Sequence, residues 1–386
     1  MDLDKHSFDL LNAEIVKEEG ATGIEAEQDS GEEETEIVEP FDPNKIRLDT
    51  KAITFDLLLS RIRQNEIDLA PAFQRKAGIW DDGAQSRLIE SILMNIPLPA
   101  FYMDATNEDC WLVIDGLQRL TALKRFVLDQ SLSLKGMEFL KQFNHKKFQD
   151  LPRGYQRRIQ ECQVTVYLIQ KGTPDGVKFN IFKRINTGGL PLSLQEIRHA
   201  LNQGPATKLL TELSTSFDFM HATRGSIQDK RMADQECVLR FCAFRMTDYT
   251  KYKSGDFDGF LNESMARINR IDELQRDELR RSFLKSMNVC SDALGAHAFR
   301  KVYSVAAFPN PINKALFETW SVNVASLDSG QSDLLVSCST VLLERFSILM
   351  ADRVFENSVS QGTNSWTKVH TRFAGIANLI DGVLHD

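Results

Sequence analysis

Asp115, Gly116, Gln118 and Arg119 stand within five consecutive residues, DGLQR, and bring a carboxylate, an amide and a guanidinium to one point of the chain. Just upstream, Trp111-Leu112-Val113-Ile114 is a continuous apolar run with β-branched members, which reads as a buried strand. Downstream, Leu117, Leu120, Leu123, Phe126 and Val127 recur at spacings of three and four, which places them on one face of a helix. Residues 110–129 are therefore expected to form strand, tight turn and helix. At the helix start, free backbone N–H groups, the positive end of the helix dipole and Arg119 converge, a combination suited to an anion and above all to a phosphate. The same residue types also make ordinary turn and cap chemistry with a solvated arginine, and the five residues by themselves leave both readings open.

The elements that must position this unit follow from the pattern around it. Residues 54–65 carry Phe55, Leu58, Leu59 and Ile62 at helical spacing behind a capping Thr54. Residues 67–80 are an extended stretch, broken by Pro71, that presents Gln74 and Arg75 before Trp80. A helix over residues 82–94 turns Leu88, Ile89, Ile92 and Leu93 inward and is stopped by Ile96-Pro97-Leu98-Pro99. Strands are expected at residues 100–103 and, from the alternating VTVYLI run, at 164–169, with helices at 155–160 and 176–185. The last of these leads into Asn186-Thr187-Gly188-Gly189, and Ser193 with Glu196 then forms a capping box for a helix holding Arg198 in its second turn. The glycine pair either makes a tight link between helices or lets backbone amides, Asn186 and Thr187 approach a ligand closely.

With 386 residues, 42% hydrophobic and 26% charged, the chain is long enough for two or three domains. No apolar run reaches membrane-span length, and the N-terminus lacks the basic start and apolar block of a signal peptide, so a cytoplasmic protein with no membrane partner is expected. The six cysteines form no C-x-x-C pair and are expected to be reduced and largely buried. Residues 1–40 hold 14 acidic side chains and two lysines, so most of the acidity behind the formal charge of −8 sits there and the remainder is mildly basic. Residues 17–40 have few apolar side chains and dense like charge, too little to offset the entropy of ordering, and are expected to be disordered. Three regions result: an acidic tail at 1–40, an α/β domain at 41–202 and a helical domain at 203–386. A G-x-x-x-x-G-K-[ST] loop is absent, which excludes an ordinary P-loop enzyme, and the seven histidines form no H-E-x-x-H pair.

Three blocks, in order, carry a family resemblance. Pro71, Phe73, Gln74, Arg75 and Trp80, followed by 88–92 and Ile96-Pro97-Leu98-Pro99, come first; Asp115-Gly116-Leu117-Gln118-Arg119 is second; residues 182–201, FKRINTGGLPLSLQEIRHAL, are third. Together they resemble the N-terminal domain of GmrSD-type modification-dependent restriction systems (DUF262), whose second block reads Asp-Gly-Gln-Gln-Arg, with Leu117 here in place of the first glutamine. The resemblance spans about residues 67–269. It implies an α+β fold, a ParB/sulfiredoxin-like small sheet with helices, followed here by a mainly helical C-terminal region.

It also implies a nucleotide-handling module associated with nucleoside triphosphate hydrolysis in restriction of modified DNA, with a divalent cation, Mg²⁺ or Ca²⁺. On that reading Asp115 coordinates the metal or orients water, Gln118 positions water or ligand, and Arg119 with Gly116 and the helix start holds phosphate. Arg75 completes the charge, the Asn186, Thr187, Gly188 and Gly189 loop closes over the site, and Gln74 and Arg198 are further nucleotide- or phosphate-binding residues. The expected partners are DNA, plain or modified, and a separate nuclease or defence-system subunit; a homo-oligomer is compatible. Two other activities fit the same residues: a ParB-like metal-dependent DNA nuclease, and a non-enzymatic module binding nucleotide, DNA or a partner. An Arg119→Ala variant is expected to lose triphosphate binding and keep its melting behaviour.

Overall fold

The computed structural model describes residues 23–25, 47–69, 80–185, 192–227, 230–253 and 255–385. They fall into two compact units, one from residues 41–201 and one from residues 202–386 together with the start of the chain. The first unit is built on β1 (Leu48–Thr54), α1 (Phe55–Arg63), β2 (Ile67–Asp68), α2 (Asp82–Leu93), β3 (Phe101–Asp104), β4 (Trp111–Asp115) and α3 (Leu117–Leu123). The helix α3 continues as a π-helical turn, Lys124–Leu128, and is followed by α4 (Arg153–Glu161), β5 (Gln163–Ile169), α5 (Asp175–Ile185) and α6 (Leu194–Leu201).

The five strands make one mixed sheet in the order β1-β5-β3-β4-β2. The pairs β1/β5 and β3/β4 are antiparallel, and β3/β5 and β2/β4 are parallel. Because side chains alternate along a strand, the sheet has two apolar faces. Phe101, Met103, Val113, Val166 and Leu168 pack under α1, α2 and α3, whereas Ile114 and Ile169 pack with Phe179, Phe182 and Ile197 of α5 and α6. The class is α+β, with a helical C-terminal region.

The local signals explain most of the elements. Thr54 caps α1 by accepting the Leu57 N–H at 3.4 Å, and Asp81 caps α2 by accepting the Ala84 N–H at 2.7 Å. The end of α2 differs from the expected proline stop. Asn95, in the left-handed region at φ 57°, closes the helix first, with the Ile96 N–H donating to the Ser91 carbonyl at 2.9 Å. That leaves the Pro99 carbonyl in irregular chain, where Arg119 uses it. The strand β1 was not expected: its LDTKAIT sequence is largely polar, and it is held as an edge strand by full pairing with β5. The Ser193–Glu196 capping box is present, with the Ser193 N–H on Glu196 Oε2 at 2.6 Å and the Glu196 N–H on Ser193 Oγ at 3.1 Å.

The second unit packs α7 (Pro205–Ser214), α8 (Phe217–Thr223), α9 (Ala233–Met246), α10 (Phe257–Arg270), α11 (Glu273–Leu294), α12 (Lys314–Ala325), α13 (Ser329–Ser337), α14 (Ser339–Ala351), α15 (Arg353–Ser360) and α16 (Trp366–His385) around one apolar core. A fully buried Glu318 takes Arg372 Nε at 3.0 Å and Arg240 Nη1 at 3.4 Å. Among the described residues no single helix is long and apolar enough to cross a membrane; α13 and α14 pass such a test only as a pair bent by 80°, and Leu335, Leu342, Phe346 and Met350 of that pair belong to the core. All six cysteines are free; Cys237, Cys242 and Cys290 are buried, and burial pushes the thiols of Cys237 and Cys242 up to about 12. Within the tail expected to be disordered, Gly23–Glu25 departs from that expectation: Ile24 is 4% exposed and belongs to the helical core, so its apolar burial offsets the local ordering cost.

Candidate functional site

The turn between β4 and α3 is possible because residue 116 is glycine. Gly116 sits at φ 103°, and a Cβ there would lie 2.3 Å from Cδ1 of Phe101. The helix then begins at Leu117 without a side-chain cap from Gly116, so among the described residues the amides of its first turn have no capping acceptor. One turn on, Arg119 folds back on Asp115, its Nη2 donating to Oδ2 at 2.7 Å. The same nitrogen donates to the Ala100 carbonyl at 3.1 Å, Nη1 donates to the Pro99 carbonyl, and the guanidinium lies 4.4 Å from the centre of the Phe101 ring. Arg119 is 8% exposed, whereas the Asp115 side chain keeps 27% of its surface. The arginine is thus inside and the carboxylate faces out.

Electrostatics follow the geometry. Burial pushes the Asp115 carboxyl above its ordinary range, opposed by the Arg119 charge and by hydrogen bonds from the Gly116 N–H and Arg119. Burial also pulls Arg119 down, opposed by Asp115, and the guanidinium stays protonated at any ordinary pH. Gln118 is tied sideways: its Oε1 accepts the Trp80 N–H at 3.2 Å, while Gln85 Nε2 donates to the Trp80 carbonyl at 2.6 Å. The start of α3 therefore holds the chain entering α2.

Two residues that sequence reasoning did not single out belong to this corner. Tyr102 is the register partner of Asp115, and Tyr167 is the register partner of Tyr102. Their rings stack with centroids 4.8 Å apart and planes 20° from parallel, so a half-buried aromatic pair shares the sheet face with the carboxylate. Burial, then Tyr167 and Asp115, push the Tyr102 hydroxyl up. Strand alternation within VTVYLI was a signal for the side Tyr167 takes, but only the strand order β5-β3-β4 puts it beside Tyr102 and Asp115.

Residues 55–202 match the family model described as the GmrSD restriction endonuclease, N-terminal domain. The chain carries a GmrSD-type N-terminal domain. It is thereby a component of DNA-restriction type. No curated protein and no solved structure matches the chain.

The GmrSD-type domain runs from α1 through α6 and includes every residue expected to act on a ligand. Asp115, Gly116, Gln118 and Arg119 are brought together. Arg198 is 1% exposed in α6, 5.5 Å from the centre of the Phe179 ring, and donates to Gln195 Oε1 at 3.4 Å; these contacts lie within the α5–α6 layer. Gln74, Arg75, Asn186, Thr187, Gly188 and Gly189 lie outside the described residues. The flanks of the glycine segment are described, and Phe182 and Leu192 pack in one cluster with Ile114 and Tyr102, the neighbours of Asp115 in the sheet.

No group of three His, Cys, Asp or Glu side chains with metal-holding geometry occurs among the described residues. Asp115, already paired with Arg119, does not make a protein-only cation site. One carboxylate does fit a Mg²⁺ that keeps most of its ligands as water and phosphate oxygen.

Proposed function

We propose that the GmrSD-type domain binds a nucleoside triphosphate at the start of α3 and hydrolyses it as the sensing step of a cytoplasmic DNA-restriction system whose cutting is done by a separate nuclease chain. The observation that carries this reading is the uncapped helix start behind Gly116, with a buried guanidinium and a partly exposed carboxylate one turn apart.

In this mechanism the first-turn amides of α3 hold phosphate oxygens, and Asp115, the outward member of its pair, orients or deprotonates the attacking water. Arg119 acts mainly through Asp115, fixing its direction with the help of the Pro99 and Ala100 carbonyls, and adds a positive field under the phosphates. Gln118 links the helix start to Trp80, so a ligand at α3 also bears on the chain that follows Gln74 and Arg75. Of those two, Arg75 supplies further charge and Gln74 a neutral amide, and Asn186, Thr187, Gly188 and Gly189 close over the ligand from flanks anchored beside Ile114, with Arg198 bracing that layer. Alternatively, Asp115 would hold a Mg²⁺ or Ca²⁺ brought by the triphosphate, and the ion would supply positive charge at the phosphate oxygens.

Phosphate release by the wild type and Asp115→Asn, with each of four nucleoside triphosphates and Mg²⁺ or Ca²⁺, with and without plain and modified DNA, tests the proposal. Turnover in the wild type and its loss in Asp115→Asn is the expected result, and dependence on DNA would name what is sensed. Metal-dependent nicking without phosphate release would replace the proposal by the ParB-like nuclease reading. A second reading, a binding module without turnover, is favoured by one observation: Arg119 is buried and already donates to three oxygens, as a structural brace does. Nucleotide bound in calorimetry but never hydrolysed would select it.

A further inference from the structure

Gly23–Glu25 lie on the helical unit. Gly23, Ile24 and Glu25 run parallel to the segment at Ile312, the Glu25 N–H donating to the Ile312 carbonyl at 2.8 Å and the Ile312 N–H to the Gly23 carbonyl at 3.3 Å. On its other side Ile312 bridges Arg300, so the three short pieces make a miniature sheet. We infer that the segments around 300–301 and 312–313, with Ser226, form a peptide-recognition site for the extended sequence glycine, branched aliphatic, glutamate, and that its resident occupant is this chain's own Gly23–Glu25.

Each position of the tripeptide is read separately. Gly23 lies at φ 78°, and a Cβ would stand 1.9 Å from the Ser226 carbonyl oxygen, so no other residue fits without moving backbone. Ile24 is 4% exposed and completes the apolar core. Glu25 is clamped by both oxygens, Oε1 on Lys301 Nζ at 2.7 Å and Oε2 on Asn313 Nδ2 at 3.0 Å. Lys301 and Asn313 are 7% and 5% exposed, and both are held from behind, Lys301 by Ser360 Oγ at 2.6 Å and Asn313 by the Val359 carbonyl at 2.7 Å. A strand added through two backbone hydrogen bonds, a side-chain pocket and a carboxylate clamp is how folded domains capture extended peptides.

Three residues are a small contact, and its occupancy by the chain's own segment rests on the high effective concentration that a covalent tether provides. The site therefore acts as a latch for the acidic arm that follows Glu25, which holds Glu27, Asp29 and Glu32–Glu34. A peptide of the same pattern, supplied in trans, competes for it.

The test uses the full-length chain as wild type and as Gly23→Val, with a fluorescent peptide of residues 18–30 followed by anisotropy. Gly23→Val empties the site of its own segment without touching the receptor residues. The labelled peptide is expected to bind Gly23→Val at least tenfold more tightly than wild type, and peptides carrying Gly23→Val or Glu25→Lys are expected to lose that binding. Hydrogen exchange at the Ile312 amide should be slow in the wild type and faster in Gly23→Val. Equal exchange in both chains, or equal binding of the Glu25→Lys peptide, overturns the inference. Dimers that form with rising wild-type concentration and disappear in Gly23→Val would place the segment on a second copy and overturn its assignment to the same chain.

Discussion

Asp115 Oδ2 and Arg119 Nη2 stand 2.7 Å apart across the turn from β4 into α3, with the arginine buried beneath and the carboxylate partly exposed. This order decides how the two can be told apart by experiment. On the proposed function, substituting the outer residue should disturb chemistry, whereas substituting the inner one should disturb the fold first.

Arg119→Ala removes donors from Asp115 and from the carbonyls of Pro99 and Ala100 at once. Its stability should fall by about 1–3 kcal/mol, since half-buried acceptors lose their partner. The expectation that this variant keeps its melting behaviour therefore does not suit a side chain only 8% exposed. Denaturant unfolding measures the loss, and an unchanged midpoint would falsify the brace.

Gly116→Ala should be destabilising through two additive causes. The left-handed backbone at φ 103° costs a residue with a Cβ about 1–3 kcal/mol, and the new methyl meets the buried Phe101 ring. A double variant with Phe101→Leu should recover part of the steric share and none of the backbone share. Thermal melts of the two variants separate these contributions.

The pH dependence of Asp115 has a definite sign. Its folded pKa is raised above the ordinary 3.8, so between that value and the folded pKa the native state binds more protons than the unfolded state. Stability contributed by this group is then present below 3.8 and declines as pH rises through the window, levelling off above the folded pKa. Asp115→Asn should abolish this slope in unfolding free energy. If Asp115 is the base, the acidic limb of the rate profile lies above 3.8, and a limb at or below it would count against that role.

Glu90 should behave in the opposite direction. Burial raises its carboxyl, but N–H groups of Leu140, Glu138 and Phe139, at 2.7, 3.0 and 2.8 Å, outweigh this and hold it below 4.5. Its contribution is present above 4.5 and lost as pH falls through the lower folded value. Glu90→Ala leaves three loop amides without their acceptor, at about 1–3 kcal/mol for each that stays buried. Amide exchange at residues 138–140 should quicken in that variant, and unchanged protection there would show that the loop is held by other contacts.

Glu318→Ala tests the helical unit independently. It takes the buried carboxylate from Arg372, while Arg240 keeps its ion pair with Glu236, and should cost about 3–5 kcal/mol. Replacement of Glu318 by Gln, which keeps one acceptor, should cost less. Equal melting of wild type and Glu318→Ala would mean that the network adds no net stability.

Much of this protein was written in local sequence. The 3.6-residue spacing of Phe55, Leu58, Leu59 and Ile62, the caps at Thr54 and Ser193, and the β-branched run at 164–169 all became the elements they specify, because each depends on neighbours within a turn or a strand. The order of the DGLQR residues likewise fixed that an acid and a guanidinium would meet one turn apart. What tertiary structure alone decided is which way they face. The depth of Arg119 depends on the carbonyls of Pro99 and Ala100 and the ring of Phe101, about 20 residues away, and the company of Tyr102 and Tyr167 depends on strand order. Polar β1 is a strand only because β5 offers it a ladder, and Ile24 is buried only because Ile312, almost 300 residues on, has an open backbone edge. Periodicity records which side of an element is apolar; it does not record which partner covers that side, and for this protein the partner set the chemistry.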